Sequence, residues 1–135
     1  MNLADVMDEV AARLQAVDGL RVYAWPPGTV TPPAAVVAFP ESYSYDATYG
    51  RGSDVMSLPV VVVVGRPTER GTRDRLARYC DGSGTDSVKR VLESGMYVTC
   101  GGVRVTAVTF DMVSIGATEY AGALFDLDIT GPGRK

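Results

Sequence analysis

The chain has 135 residues, of which 46% are hydrophobic and 21% charged, and this composition is typical of one folded domain spanning residues 1–135. The formal net charge of −3 gives no reason to expect a polyanionic partner. Histidine is absent, which excludes Ser-His-Asp and Cys-His catalytic sites as well as His-ligated zinc and makes an enzyme the less favoured class.

We expect no membrane span, because no window approaches about 18 uninterrupted apolar residues. The first residues reach acidic side chains without a basic region, so we expect no secretory signal. Cys80 and Cys100 are too far apart for a CxxC motif and too few for a zinc site, which predicts two buried thiols. No metal or cofactor is expected.

Apolar residues at helical spacing predict an amphipathic helix over 3–17, with Asn2 capping its start and Gly19 closing its end. Alternating apolar and polar residues predict a strand over 20–25. A short apolar strand is expected over 34–39, after the proline-rich loop.

Residues 41–54 place three tyrosines and an arginine among serine, aspartate, threonine and glycine. The stretch is either a long hairpin arm whose aromatic side faces something outside the domain or a mobile loop. Tyrosine offers large contact area at low rotamer cost and is enriched at protein interfaces. We therefore predict interface roles for Tyr43, Tyr45, Tyr49 and Arg51.

Residues 55–64 predict a strand that ends in five consecutive valines. An apolar run without polar alternation indicates burial on both faces, so this strand should be central in its sheet. A helix over 70–80 should follow, capped by Thr68 and burying Leu76, Tyr79 and Cys80. Next comes a short helix that runs through Leu92 and is capped by Thr85 or Asp86.

Strands are predicted over 96–100 and 103–110, joined as a hairpin through Gly101-Gly102 because primed turns require positive φ. A further strand over 123–130 alternates between core and solvent, and 131–135 should be a flexible tail. The fold class that follows is α+β, with a mostly antiparallel or mixed sheet and the N-terminal helix and helix pair packed on one face.

Five arginines at 66, 70, 73, 75 and 78 concentrate positive charge. They could contact phosphate or nucleic acid, but acids at i,i+4 favour a solvated face or a protein contact. We predict interface roles for Arg70, Arg73 and Arg78.

Asp126 and Asp128 could form a carboxylate pair, although their spacing is also that of a solvent-facing strand. The glycine-rich segments at 50–52 and 82–85 lack the spacing of a phosphate loop.

The segments "VGRPTERGTRDRLARYCDGSG" and "SVKRVLE", after a buried strand, resemble tail terminator proteins of long-tailed phages of actinobacterial hosts. The N-terminal helix, the following "GLRVYAWPPGTVTPPAAVVAFP" and the closing strand extend the resemblance over nearly the whole chain. The family offers no catalytic residues to carry over.

The resemblance implies a virion subunit that forms a ring, typically a hexamer, at the head-proximal end of the tail tube. Such a ring stops polymerisation of the tube protein and meets the head–tail connector or stopper protein, while DNA passes through its lumen without specific binding.

Three alternatives stay open. One is another connector or stopper protein of the phage neck. The second is a small-ligand domain or enzyme that uses Asp126 and Asp128 or the arginine helix. The third is a nucleic-acid-binding module in which Arg70 and Arg73 contact phosphate.

Overall fold

The computed structural model describes residues 2–17, 20–24, 33–44, 53–66, 71–82, 84, 87–94, 97–98, 100–115 and 118–132. Within them the chain forms three helices, α1 (Leu3–Leu14), α2 (Thr72–Cys80) and α3 (Val88–Glu93). The strands are β1 (Arg21–Tyr23), β2 (Ala34–Val37), β3 (Ser42–Ser44), β4 (Ser53–Gly65), β5 (Gly102–Ile115) and β6 (Thr118–Pro132). None of the helices in this part of the chain is long and apolar enough to cross a membrane.

The strands form one mixed sheet in the order β1-β2-β4-β6-β5, with β3 also paired to β4. β1 and β2 are parallel, and every other pairing is antiparallel. All three helices contribute to the same main core, so they cover one face of the sheet. The predicted α+β class with a mixed sheet and helices on one face is confirmed.

β4 is the central strand, as the valine run predicts. Val62 belongs to the main core beneath the helices, whereas Val63 belongs to a smaller core with Ala34 and Val36 on the opposite face. Because consecutive side chains of a strand point to opposite faces, a run of valines fills both cores at once.

α1 begins where expected, since the Asn2 side chain accepts a hydrogen bond from the Asp5 N–H at 3.1 Å. It ends at Leu14 rather than at residue 17. Val17 and Leu20 beyond it are nevertheless buried. The apolar spacing that predicted a helix to residue 17 therefore reflects burial past the end of the helix.

The predicted caps of the next two helices were wrong. α2 begins at Thr72 with Gly71 as its N-cap and has no side-chain cap, while the Thr72 hydroxyl donates to the Arg66 carbonyl at 3.0 Å. α3 is capped by Ser87 and not by Thr85 or Asp86, because the Ser87 Oγ accepts from the Arg90 N–H at 3.2 Å. The same hydroxyl donates to the Asp81 carbonyl.

The hairpin predicted through Gly101-Gly102 was also wrong. The hairpin is formed by β5 and β6, whose facing ends Ile115 and Thr118 pair directly. Gly101 instead permits a close approach, because its N–H donates to the Thr130 carbonyl at 2.7 Å and a Cβ there would lie 3.3 Å from that oxygen. Of the strand expected over 96–100, the described residues Tyr97, Val98 and Cys100 are not in a strand.

The first two residues of the predicted flexible tail belong instead to β6. Gly131 and Pro132 are paired in β6 with Asp54 and Ser53. Residues 133–135 lie outside the described part of the chain.

Candidate interaction surface

Tyr43 lies at the base of the stretch predicted to be an arm. β3 pairs with residues 55–57 of β4, so the base is a hairpin. The Tyr43 hydroxyl donates to Asp54 Oδ2 at 2.6 Å, and its ring packs against the main core. Asp54 itself is only 2% exposed. Tyr43 therefore holds the base of the hairpin, while Tyr45, Tyr49 and Arg51 lie outside the described residues.

The arginines of α2 point to solvent. The side chain of Arg73 is 91% exposed and pairs with its neighbour Asp74 at 3.3 Å. Arg78 is exposed near the end of the same helix. Arg70, the third arginine predicted to make a contact, lies outside the described residues. An exposed pair of this kind contributes little to stability.

Asp126 and Asp128, considered above as a possible carboxylate pair, lie on the face of the sheet away from the helices. Asp126 is half-buried and Asp128 is exposed, with Arg104 of β5 directly opposite Asp128 in the ladder. No group of three or more metal-ligating side chains occurs among the described residues. Nor does any buried side-chain nitrogen or oxygen in that part of the chain lack a hydrogen-bond partner.

Glu9 and Arg13 of α1 make polar contacts with Ser94, Tyr97 and Val98 after α3, and we call this set of contacts the clasp. Both carboxylate oxygens of Glu9 accept from the Val98 N–H, at 3.0 and 3.1 Å. Arg13 stacks over the Tyr97 ring at 4.3 Å and donates to the Ser94 carbonyl at 2.7 Å. Burial raises the pKa of the Tyr97 hydroxyl to about 12. The clasp fixes the backbone of Val98 while leaving its side chain 92% exposed.

The two cysteines have no disulfide. Cys100 is buried, as predicted, but Cys80 is only half-buried at the end of α2. Burial still raises the pKa of the Cys80 thiol to about 11, so it is a thiol and not a thiolate at neutral pH.

Sequence reasoning missed the apolar residues exposed on β5. Phe110 is 58% and Met112 49% exposed. They alternate with polar residues in "TFDMVS", as apolar residues do on any half-buried strand. This alternation indicates exposed apolar side chains only once β5 is known to be an edge strand. Exposed apolar side chains on a sheet edge favour a contact with another protein surface.

The two halves of β5 differ in how their outer edge is covered. In the first half the Val105 N–H donates to Glu93 Oε2 of α3 at 2.9 Å. The Lys89 ammonium donates to Glu93 at 2.5 Å. This hydrogen bond is the main cause of the lowered pKa of the Glu93 carboxyl. A register shift between Val105 and Ala107 then separates the covered half from the second half.

At the other edge of the sheet, an open groove lies between α1 and β1. It has a volume of about 300 Å³. Its lining is mainly apolar and comprises Asp8, Ala11, Ala12, Gln15, Val22, Tyr23 and Ala24. The groove is open rather than an enclosed cavity, which suits a protruding side chain of a partner better than a small molecule.

No protein-family model matches the chain, and no curated protein sequence matches it.

Proposed function

We propose that this chain is a structural virion protein that forms a ring at the head-proximal end of a phage tail tube. There it ends tube polymerisation and joins the tail to the head connector. The proposal rests on the apolar side chains that β5 exposes at the edge of an otherwise well-packed sheet. A long edge strand with exposed Phe110 and Met112 invites pairing unless another surface covers it.

The character of the described surface supports an assembly role. The charged pair of Arg73 and Asp74 on α2 lies in solvent, while the polar groups of Tyr43 and Glu9 hold the fold together. A site that binds a metabolite would need several polar groups converging in a concave pocket. The resemblance of "VGRPTERGTRDRLARYCDGSG" and "SVKRVLE" to tail terminators specifies the kind of assembly.

The first test is the particle itself. We expect the purified protein, alone or with tube protein, to form annular particles in negative-stain images and a mass of several subunits in light scattering. Added to polymerising tube protein, it should shorten the tubes and appear at one end of each. A monomer at all concentrations that does not bind tube protein would contradict the proposal. A ring that binds a head connector but leaves tube length unchanged would indicate a different neck protein.

A second test addresses the arm predicted over 41–54. Assembly should protect this stretch from limited proteolysis, because an arm that grips a neighbour is shielded once the contact forms. The measurement is the cleavage rate within 41–54 before and after assembly, followed by mass spectrometry of the fragments. Equal rates in the two states would remove the arm from the interface and leave the ring to be formed by other surfaces.

A further inference from the structure

We infer that the second half of β5 in one copy pairs with β1 of a second copy, so that the sheet continues from subunit to subunit. The inference rests on the proposed function, since it specifies the contact between neighbouring subunits of the ring.

The strand directions permit an antiparallel junction. β5, β6, β4 and β2 alternate in direction along the sheet, and β1 runs parallel to β2. β1 and β5 therefore run in opposite directions at the two edges of the same subunit. Two copies placed side by side in the same orientation bring β5 of one next to β1 of the other as an antiparallel pair, the more stable of the two pairings.

The ladders place Phe110 and Val22 in one row across the sheet. Val22 pairs with Ala35, which pairs with Val62, and the row continues through Ala123 to Phe110. Ala35, Val62 and Ala123 all belong to the core beneath the helices, so the whole row lies on the helix-covered face. If the sheet continues, Phe110 of one copy lies beside Val22 of the next.

Val22 lines the open groove between α1 and β1. Phe110 thus meets a mainly apolar groove of about 300 Å³ on the same face of the continued sheet. Met112 is on the same face as Phe110, two residues further along β5, and is also half exposed. The groove on one edge and the apolar side chains on the other are therefore complementary in chemistry and in position.

The adjacent row brings opposite charges to the two edges. Arg21 pairs with Ala34, and the row continues through Val63 and Gly122 to Asp111. Ala34 and Val63 lie in the smaller core, so Arg21 and Asp111 are on the face away from the helices. Both are exposed, and Asp111 Oδ1 accepts from the Met112 N–H at 2.7 Å. Continuation of the sheet sets the Arg21 guanidinium beside the Asp111 carboxylate of the neighbour.

Glu93 of α3 covers the first half of the β5 edge, and in the second half the Asp111 carboxylate occupies the Met112 N–H, so the junction requires Asp111 to exchange that contact for Arg21 of the neighbour. Beyond the register shift the strand is mostly exposed, at Ala107, Thr109, Phe110, Asp111, Met112 and Ser114. Because the two edges are different surfaces, the contact is head-to-tail, and contacts of that type close into rings when the rotation between subunits allows it.

Covalent trapping tests the junction directly. We expect a chain with both Arg21→Cys and Asp111→Cys, treated with a short thiol crosslinker, to give a ladder of covalent oligomers on a denaturing gel. A mixture of the two single variants should stop at dimers, and each single variant alone should stay monomeric. The unmodified chain under the same treatment controls for Cys80 and Cys100. Dimers from one single variant alone would indicate a two-fold contact and overturn the inference.

Charge exchange supplies the second test. Arg21→Asp and Asp111→Arg alone should each weaken self-association about tenfold, because each places like charges at the junction. The chain that carries both changes should recover most of the loss. Glu119→Arg is the matched control for Asp111→Arg. It also replaces an exposed acidic side chain of the β5–β6 hairpin by arginine, but at a position that the continued sheet does not place beside β1. Sedimentation velocity over a range of protein concentrations measures all four.

The outcomes separate this inference from the proposed function. Annular particles that survive both single charge changes and give no crosslinked ladder would overturn the β5–β1 junction and leave the ring itself standing. A crosslinked ladder without any effect on tube length would support the junction and contradict the role in tube termination. A chain that neither associates nor crosslinks at any concentration would overturn both.

Discussion

Tyr43 and Asp54 show how one hydrogen bond holds the base of a hairpin. Tyr43→Phe removes the hydroxyl that donates to Asp54 Oδ2 at 2.6 Å, next to a carboxylate that is almost fully buried. We expect a loss of about 1–3 kcal/mol in the free energy of unfolding, measured by urea denaturation.

Tyr120→Phe is the control for that change. Tyr120 is half-buried against the smaller core, and its hydroxyl has no hydrogen-bond partner among the described residues. Its variant should stay within about 0.5 kcal/mol of the unmodified chain. Equal losses in the two variants would mean that the Tyr43 hydroxyl contributes nothing specific.

Gly122 is required by a close approach of strands and not by a turn. A Cβ at this position would lie 2.9 Å from both the Val62 carbonyl oxygen and Val113 Cγ2. Because a backbone oxygen of the central strand cannot move aside, we expect Gly122→Ala to destabilise the fold by about 1–3 kcal/mol. Thermal unfolding measures this. Gly102→Ala is the control, since a Cβ there meets nothing within 4 Å, and a larger effect at Gly102 would contradict the argument.

At the scale of elements, β4 is the strand on which both cores depend. Val62→Asp places a carboxylate with no partner in the main core, where Val62 is fully buried. We expect this variant not to fold, as judged by loss of soluble protein and of the native far-UV circular dichroism.

Val61→Asp is the matched change on the next residue. Val61 is half-buried on the opposite face, so its variant should fold with reduced stability. A folded Val62→Asp protein, or a Val61→Asp protein that fails equally, would show that the two faces of β4 do not differ as the structure indicates.

α3 is tied to the edge of β5 through Glu93, and this contact depends on pH. The pKa of the Glu93 carboxyl is lowered from 4.5, mainly by the hydrogen bond from Lys89. A carboxyl with a lowered folded-state pKa stabilises the fold fully above the unfolded value. That stabilisation is lost as the pH falls below 4.5 through the folded-state pKa.

Glu93→Gln should therefore show a smaller loss of stability on acidification than the unmodified chain, measured by urea denaturation at successive pH values. Glu119→Gln, an exposed change on β6, should keep the unmodified pH profile. Identical profiles for the Glu93→Gln variant and the unmodified chain would mean that the carboxylate of Glu93 does not stabilise the contact with β5.

At the scale of the whole molecule, charge argues against DNA binding. The net charge is −3, and Arg73 is already paired with Asp74. Phosphate contacts release counterions and would make binding depend steeply on salt. We expect no retention on a DNA column even at low ionic strength, and no change in the variant that carries Arg73→Ala and Arg78→Ala. Retention that falls with added salt and with these substitutions would favour the nucleic-acid-binding alternative.

The sheet also explains how far the interface could be anticipated. Tyrosine content directed attention to 41–54, yet Tyr43 proved to be held by Asp54 at the base of the hairpin. Phe110 and Met112 were passed over because an apolar residue on a strand is ordinarily buried. Their exposure depends on β5 being an edge strand, and local sequence does not determine the order of strands in a sheet.

Local pattern was sufficient for the features that depend on neighbours in sequence. The start of α1 at Asn2, the central valine strand and the alternation of 123–130 all followed from spacing, because capping and face periodicity are properties of a few consecutive residues. The Gly101-Gly102 pair could not be interpreted that way. Its glycine is needed for an approach to Thr130, a residue distant in sequence, and a close contact of that kind exists only once β5 and β6 have paired.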